Sequence, residues 1–408
     1  MQKFDIIIGG GGSIGLACAL SLVHTNRKNP LSVLILDRGK ALDKIDHNFD
    51  GRNIALNNAS IRLLDNIGRW VHIKDNCQPI SDIIVSDGTL KYGASENPIH
   101  FDANDINEGS FGHFALNPNI HQTLINAIKS EPNITLCYET HITNIQHNDE
   151  SVTVTDHNNV SYQASLLIAA DGKNSFIRNH HNIDVTQKEY GQTAIVLAVS
   201  HEKPHHGIAQ EFFLPTGPFA ILPLTGNQTS LVWVQNHKMA KALLNAPSDV
   251  FAYELQRRFG DYLGALTITS KKFSYPLIRQ IAKQITAPRT VFIGDAAHII
   301  HPIAGQGFNL GLRDVGFLCD LVAQHHYAGL DIGGQVLLSA YEKSRKNDIQ
   351  LLGNVTNAIN GLFSNDYMLL QQSRRFGLNI VNQIPPLRNF FSKGASEGSI
   401  APLPSLLA

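Results

Sequence analysis

The chain has 408 residues, enough for two domains and an appendage at about 100–200 residues per domain. Apolar residues make up 43% and charged residues 16%, and 33 Lys and Arg against 34 Asp and Glu leave a net charge of −1. This composition supports a large core and excludes a general electrostatic attraction to nucleic acid. A near-neutral surface also suits a protein that docks on a partner or on a membrane surface.

Residues 4–8 (FDIII) form a short apolar run that stops at glycines, and a helical pattern follows through Leu16, Ala17, Ala19, Leu20 and Leu22. LSVLILD at 31–37 reads as a second buried strand, so the chain opens with a βαβ unit and hence a parallel sheet. A helix is predicted over 52–70, with Ile61, Leu63, Leu64 and Ile67 on one side, and another over 117–129. Alternating stretches dominate from 134 to 168. From about 185 to 275 strands prevail (TAIVLAVS, AQEFFLP, FAILPL, SLVWVQ), which reads as an antiparallel sheet with two different faces. TVFIGD at 290–295 returns to the character of the first strand, a helix-compatible run follows, and 335–395 is helical and amphipathic. The fold class is therefore α/β with a discontinuous nucleotide domain (1–72, 98–180 and 275–335). A second, antiparallel-sheet domain (73–97 and 181–274) interrupts it, and a C-terminal helical region (336–408) follows. Cys18, Cys77, Cys137 and Cys319 are far apart with no CxxC pair, as expected for reduced core thiols. The opening MQKFDIIIGGGG is a strand and not a secretion signal, and no uncharged apolar run reaches about 18 residues. The expected location is cytoplasmic, with peripheral attachment to the inner face of a membrane open.

The first turn carries Gly10-x-Gly12-x-x-Gly15 between a predicted strand and a helix. Glycines there permit the tight turn, the close approach of backbone to a pyrophosphate and close helix–strand packing. The helix start, with Ser13 and Ile14, offers free N–H groups and a partial positive charge. Asp37 lies 22 residues after Gly15 at the end of the next strand, followed by Arg38, where a carboxylate can accept from both hydroxyls of a ribose. This combination means a dinucleotide and does not choose between NAD and FAD.

A second signature stands at 290–314, TVFIGDAAHIIHPIAGQGFNLGLRD. A strand ends at Gly294-Asp295, a Pro-Gly-Gly loop follows, and a helix is predicted to start near Phe308. A carboxylate at a strand end can bind a ribityl hydroxyl, and the N–H groups of Gly305 to Asn309, Gly307 and Phe308 included, can face the N1–C2=O edge of a flavin. That edge becomes anionic on reduction, so a positive helix end stabilises the reduced form. IGDAAHIIHPIAGQGFNLGLRDV resembles the FAD motif of class A flavoprotein aromatic hydroxylases, and most of all the ubiquinone-biosynthesis hydroxylase family. Ala169-Ala170-Asp171-Gly172-x-x-Ser175-x-x-Arg178 and Asp50-Gly51-Arg52-Asn53-Ile54-Ala55-Leu56 agree, as do GPFAILPL at 217–224 and RRFGLNIVNQIPPLRNF at 374–390. At 112–118 the chain departs, with GHFALNP placing Leu116 and Pro118 where the family carries polar residues.

The resemblance implies a Rossmann-like FAD-binding domain of the para-hydroxybenzoate-hydroxylase type beside a substrate-binding sheet. It places Asp171, Gly172 and Arg178 at the FAD and on the nicotinamide's path, and Arg52 against the pyrophosphate, where an arginine fork is chemically apt. It implies reduction by NAD(P)H, addition of O2 to give a flavin C4a-hydroperoxide, and hydroxylation of a phenol, for this family a polyprenylated one. The protein must then hold the phenol within about 3–3.5 Å of the reacting oxygen, exclude water and favour the phenolate. His298 and His301 are the candidate bases, since a histidine suits the task, and Pro302 a candidate floor of the site. Phe212, Phe213, Phe219 and Leu222 are expected on or near a sheet facing the flavin. The mixture of Arg374, Arg375, Arg388 and Lys393 with Phe376, Leu378, Phe390 and Phe391 fits an anionic membrane surface, a biosynthetic complex or a helix packed on the core. Competing readings are a hydroxylase of a small soluble aromatic acid, an O2-independent reductase of isoprenoids, and a flavin-binding scaffold. No metal site is expected.

Overall fold

A computed structural model of the chain describes residues 1–41, 53–89, 93–94, 98–106, 108–363, 394, 396–398 and 402–408. A six-stranded sheet runs in the order Ile134–Cys137, Val33–Leu36, Ile6–Gly9, Leu166–Ala169, Thr290–Phe292, Thr286–Ala287, parallel except for the last pair. Ile6–Gly9, Val33–Leu36 and Leu166–Ala169 are buried along their whole length, which is why they read as unbroken apolar runs rather than alternations. Helices Ser13–Thr25 and Gln306–Tyr327 pack on each other and share this sheet's core. A Cβ on Gly311 would lie 2.9 Å from Ile14 Cδ1, so the close helix crossing depends on that glycine. A four-stranded sheet, Gln2–Lys3, Ser161–Ala164, Val152–Asp156 and Ile142–His147, contributes Ile145, Val152 and Val154 to the same core.

The second sheet has ten strands. Its main path is His298–Ile299, Phe273–Ala282, Val185–His201, Gln228–Asn236, Gly217–Leu224, Ile208–Leu214, Asp82–Thr89 and Gly93–Ala94. Leu266–Ile268 adds to Val185–His201, and Ile99–Asp102 to Asp82–Thr89. Strand alternation separates two faces. Phe212, Leu214, Phe219, Ile221, Leu231 and Trp233 point to one of them, where helices His237–Leu244 and Ser248–Phe259 cover them with Leu243, Phe251, Leu255 and Phe259. Ala209 and Phe213 point to the other, toward the nucleotide half.

Several expectations change. Within 52–70, the described residues form a strand, Asn53–Leu56, and then a shorter helix, Asn58–Asn66. The strand pairs with His113–Leu116, and the side chain of Asn57 caps the helix by accepting from the Ser60 N–H at 2.9 Å. Ile99–Asp102, Phe273–Ala282 and His298–Ile299 were assigned wholly or largely to the nucleotide domain, yet all pair within the large sheet. Long-range pairing, and not local pattern, decides their membership. The two helices His237–Leu244 and Ser248–Phe259 lie in the segment where strands are expected to prevail. Of the four apolar residues expected to face the flavin, Phe212 and Phe219 face away, because a period of two puts every second residue on the opposite side. The C-terminal region holds the helix Gln335–Phe363, while the described end, 402–408, runs without a helix and packs Leu406 and Leu407 into the main core. Residues 374–393 and Arg52 lie outside the described residues.

Candidate active site

The glycine loop ends in a helix whose cap residue, Gly12, makes no side-chain cap, and whose first turn holds no acidic residue. The N–H groups of that turn are therefore available to an anion. Gly10 sits at φ +111°, and a Cβ there would run into the Ala170 carbonyl; one at Gly15 would strike the Gly10 carbonyl. A Cβ on Gly12 would meet nothing within 4 Å, so the open side of the loop has room for a phosphate. Asp37 holds the Gly11 N–H at 2.5 Å and the Gly39 N–H at 2.6 Å, one on each oxygen. Each oxygen keeps a lone pair for a ribose hydroxyl. Ser13 is half-buried with its Oγ 3.3 Å from His121 Nδ1, while Arg38 is exposed.

Asp171 follows the strand Leu166–Ala169 and lies next to the glycine loop. Its Oδ2 accepts from the Ile177 N–H at 3.1 Å, and its buried Oδ1 has no partner. Burial raises its carboxyl above the ordinary range, against hydrogen bonds from Ser175 and nearby backbone that lower it. A buried, unpaired acceptor beside the phosphate loop fits a hydroxyl donor of a bound nucleotide. Gly172 turns the chain at φ +82°. Arg178 is buried and donates to the Ala296 carbonyl at 2.8 Å and the Lys173 carbonyl at 2.9 Å. It thus fastens the Asp171 loop to the Gly294–Ala296 turn.

That turn leads into the second signature. Gly294 is at φ +57° and donates to Asp314 Oδ2 at 2.9 Å, and Asp295 stands exposed beside it. Asp314 is fully buried. Its Oδ2 receives His298 Nε2 at 2.6 Å and its Oδ1 receives Arg345 Nε at 2.8 Å. Burial alone would push this carboxyl up, but His298, Arg345 and the Gly294 N–H together hold it near 2. An ionised carboxylate only accepts, so His298 Nε2 donates. Its ring, 2% exposed, braces the turn against Arg345 on the last helix. His301 is also fully buried. Its Nδ1 accepts from the Ile303 N–H at 3.3 Å, its ring meets Tyr190 edge-on at 4.8 Å, and burial lowers its pKa to about 4. At neutral pH it is uncharged, with the proton on Nε2 and its lone pair already engaged. The two histidines expected to serve as bases are thus both built into the support of the loop. A β-bulge between Glu189 and Thr193, with Gly191 at φ +66°, aims Tyr190 at His301.

Pro302 is exposed and opens a short turn, Ile303–Gly305. Gly305, at φ +62°, precedes a helix that begins at Gln306, two residues before the expected start, again with no side-chain cap and no acidic residue in the first turn. A Cβ on Gly305 would lie 3.0 Å from Ala55 Cβ, and one on Gly307 would meet nothing within 4 Å. Phe308 packs at the edge of the main core. Asn309 donates to the Ala55 carbonyl at 2.8 Å, and its Oδ1 accepts from Ser60 Oγ at 2.7 Å and the Asn57 N–H at 3.3 Å. Its side chain braces the helix start, and its backbone N–H closes the first turn on the Gly305 carbonyl; the Gly305 N–H donates to the Pro302 carbonyl at 2.9 Å, so the N–H groups of Gln306, Gly307 and Phe308 are the ones that face outward. Sequence reasoning missed Asp314, Arg345 and Asn57, whose partners at the site are 16 residues away for Asp314 and His298, 31 for Arg345 and Asp314, and 252 for Asn57 and Asn309.

These elements leave two open, glycine-lined helix starts at the ends of parallel strands, an unpaired carboxylate oxygen between them, and an apolar face of the large sheet opposite. That arrangement fits a flavin dinucleotide: pyrophosphate on Gly12–Gly15, ribose on Asp37, isoalloxazine on Gly305–Asn309. A comparison with known families finds that residues 3–353 match the family described as "FAD binding domain". The ubiquinone hydroxylase UbiL of Rhodospirillum rubrum is 38% identical over 393 residues, which span 96% of this chain and 89% of that protein. The mitochondrial ubiquinone biosynthesis monooxygenase COQ6 of Danio rerio is 29% identical, over 97% and 90% of the two chains. Among solved structures, p-nitrophenol 4-monooxygenase PnpA of Pseudomonas putida superposes with a TM-score of 0.78 at 15% identity, covering 97% of this chain and 99% of that one. At that identity the likeness establishes the fold, which is that of FAD-dependent monooxygenases. No helix among the described residues is long and apolar enough to cross a membrane. The chain belongs to the FAD-binding family of flavoprotein monooxygenases, with FAD as its cofactor.

Proposed function

We propose that this protein hydroxylates the aromatic ring of a polyprenylated phenol in ubiquinone biosynthesis, with NADH or NADPH as electron source. The bound flavin supplies the chemistry of oxygen activation. The chain's own residues do the rest. Gly12, Ser13, Ile14 and Gly15 hold the pyrophosphate, with Arg52 as a further contact, and Asp37 and Arg38 lie at the adenosine end. Asp171, Gly172 and Asp295 lie at the central hydroxyls. Gly294, Gly305, Gly307, Phe308 and Asn309 shape the site around the isoalloxazine. Arg178, His298 and His301 hold the loops in place, and Pro302 lies on the open side of the flavin loop.

The observation that carries the reading is the meeting of the flavin loop with the large sheet. Ile303 packs on Phe213 together with Val85 and Ile359, while Ala55, beside Gly305, packs with Leu222 and Ala209. A ring held between that loop and the sheet lies in an apolar, water-poor space, which a reactive oxygen intermediate and an apolar tail both need. Similarity to relatives named for ubiquinone hydroxylation supports the same substrate class.

The test is incubation of the FAD-loaded protein with NAD(P)H, labelled O2 and a short-chain prenylphenol, read by mass spectrometry. One labelled oxygen atom in the ring is the expected product. Turnover of the nicotinamide without label in any phenol would remove the reading, and saturation of a prenyl double bond without O2 would replace it with a reductase.

A further inference from the structure

We propose that Glu211 is the group that takes up the proton of the substrate's ring hydroxyl, an inference that rests on the hydroxylase reading above. Glu211 lies on the strand Ile208–Leu214, whose odd-numbered residues face the nucleotide half. Ala209, on one side of it, packs in the cluster of Phe114, Leu222 and Ala55. Phe213, on the other, packs on Ile303 of the flavin loop. Its cross-strand neighbours are Val85 and Ala220. Glu211 is therefore a carboxylate set between two apolar clusters, each of which reaches the flavin loop. It is half-buried, and among the described residues none pairs with it.

Half-buried and with no cation beside it, this carboxylate has no structural task among the described residues. Burial pushes its pKa up to about 7, so it is partly ionised at neutral pH and matched to proton transfer there. The other titratable groups on the packed elements are Asp87, His301 and Tyr190. Asp87, one strand over beside Phe213, is buried with contacts of its own. His301 and Tyr190 meet ring to ring with His301 Nε2 and the Tyr190 hydroxyl buried and unpaired, and burial lowers the His301 pKa to about 4, which makes it a weak base at neutral pH. Ile83, Pro218, Ala220 and Leu222, on the neighbouring strands, carry no charge.

In the step, the O–H bond of the ring hydroxyl breaks and an O–H bond forms on a Glu211 carboxylate oxygen. The negative charge passes to the ring oxygen, and no electron changes hands. The ring is then more nucleophilic toward the incoming oxygen. Once the hydroxylated carbon has lost its own proton to solvent and the ring is aromatic again, Glu211 returns its proton to the ring oxygen.

The test compares the FAD-loaded wild type with Glu211→Gln, Glu211→Asp and Asp87→Asn. A nitrophenol, whose phenolate has its own visible band, is titrated into each by difference spectroscopy across about pH 6 to 8, the range in which a carboxyl shifted to about 7 changes charge. In the wild type the bound phenolate band grows as the pH passes through about 7; in Glu211→Gln its growth shifts to higher pH, because the ring then ionises in an apolar site with no base beside it. Hydroxylation by Glu211→Gln falls about 100-fold in kcat with loss of the acidic limb of the pH profile, as removal of a general base does. Glu211→Asp keeps a weakened band and limb. Unchanged spectra and kcat in Glu211→Gln, or transfer of both losses to Asp87→Asn, overturn the proposal. If Glu211→Gln does not bind FAD, Glu211→Asp decides: wild-type behaviour in it rejects the role. The spectral titration reads Glu211 even where no phenol is hydroxylated, so failure of the hydroxylase reading shows separately as a wild type that never incorporates oxygen.

Discussion

Asp314 shows how one side chain can secure an active-site loop it never enters. It joins the Gly294 turn, His298 and Arg345, and Arg345 continues to Asp348 at 2.6 Å. Removing the carboxylate leaves the Gly294 N–H and His298 Nε2 without their acceptor and Arg345 with Asp348 alone, and breaking such a buried set is worth about 3–5 kcal/mol. We therefore expect Asp314→Asn to lose that much stability in urea unfolding and to release bound FAD, because the Gly294 turn loses its anchor; unfolding at the wild-type midpoint would reject this account. Two groups of the site contribute to the pH dependence. Asp314 is depressed to about 2 from the ordinary 3.8, so its contribution is present above about pH 4 and is lost as the pH falls through 2. His301 is depressed to about 4 from 6.5, so between those values the unfolded chain binds the extra proton and stability falls as the pH drops. His301→Asn should make the stability curve less steep between pH 6.5 and 4, where His181, also depressed to about 4, keeps its share, and leave the lower part unchanged.

At the scale of elements, two helices matter most, Ser13–Thr25 and Gln306–Tyr327. Both begin at glycines without a side-chain cap, so each aims a positive helix end at the space where the cofactor fits; the first follows a parallel strand directly, and the second crosses the end of another with Gly311 against Gly294. Their separation is set by small residues. Gly15 has a carbonyl against the position its Cβ would fill, and Gly311 has Ile14 there. Gly15→Ala must push the first helix away from its loop, and we expect FAD affinity, measured by flavin fluorescence titration, to fall by at least tenfold, or about 1.4 kcal/mol. An affinity equal to wild type would mean that the loop relaxes without disturbing the phosphates.

Over the whole molecule, two hydrophobic cores are joined by a sheet that reaches the flavin loop. The larger holds the parallel sheet and its helices. The smaller surrounds Trp233 under helices His237–Leu244 and Ser248–Phe259. Phe273–Ala282 pairs with Val185–His201 on one side and with His298–Ile299 on the other, so the large sheet continues into the signature loop. The last helix adds Asn360 to Gln192 at 3.1 Å and Arg279 to Asn354 at 2.8 Å. The chain has two tryptophans, Trp70 and Trp233. In Trp70→Phe, the remaining indole reports the smaller core alone. FAD at 100 times its dissociation constant stabilises the state that binds it by about 2.7 kcal/mol. If the cores unfold as one, the Trp233 transition moves up with FAD as far as the whole-chain circular dichroism does; a fixed Trp233 midpoint would show that the sheet does not couple them.

The sequence alone determined the local chemistry. FDIII-GGGG and TVFIGD-x11-GFN read correctly as strand, turn and helix, because buried parallel strands are apolar without interruption and glycines mark where backbone must come close. It also placed Asp37 at a strand end. The two helices of the smaller core were legible in principle, since Phe251, Leu255 and Phe259 recur every four residues before Gly260. They were missed inside a segment dominated by strands. What only the tertiary structure decided was partnership. Asn53–Leu56 is a strand because His113–Leu116 lies beside it, although its composition is compatible with a helix. His298 and His301 have the chemistry of bases, but their surroundings assign them to bracing. Glu211 is unremarked in the sequence and becomes distinctive only when register puts it between Val85 and Ala220 on the face that meets Ile303. Motifs are local in sequence because backbone geometry is local; burial and charge pairing depend on residues that only folding brings together.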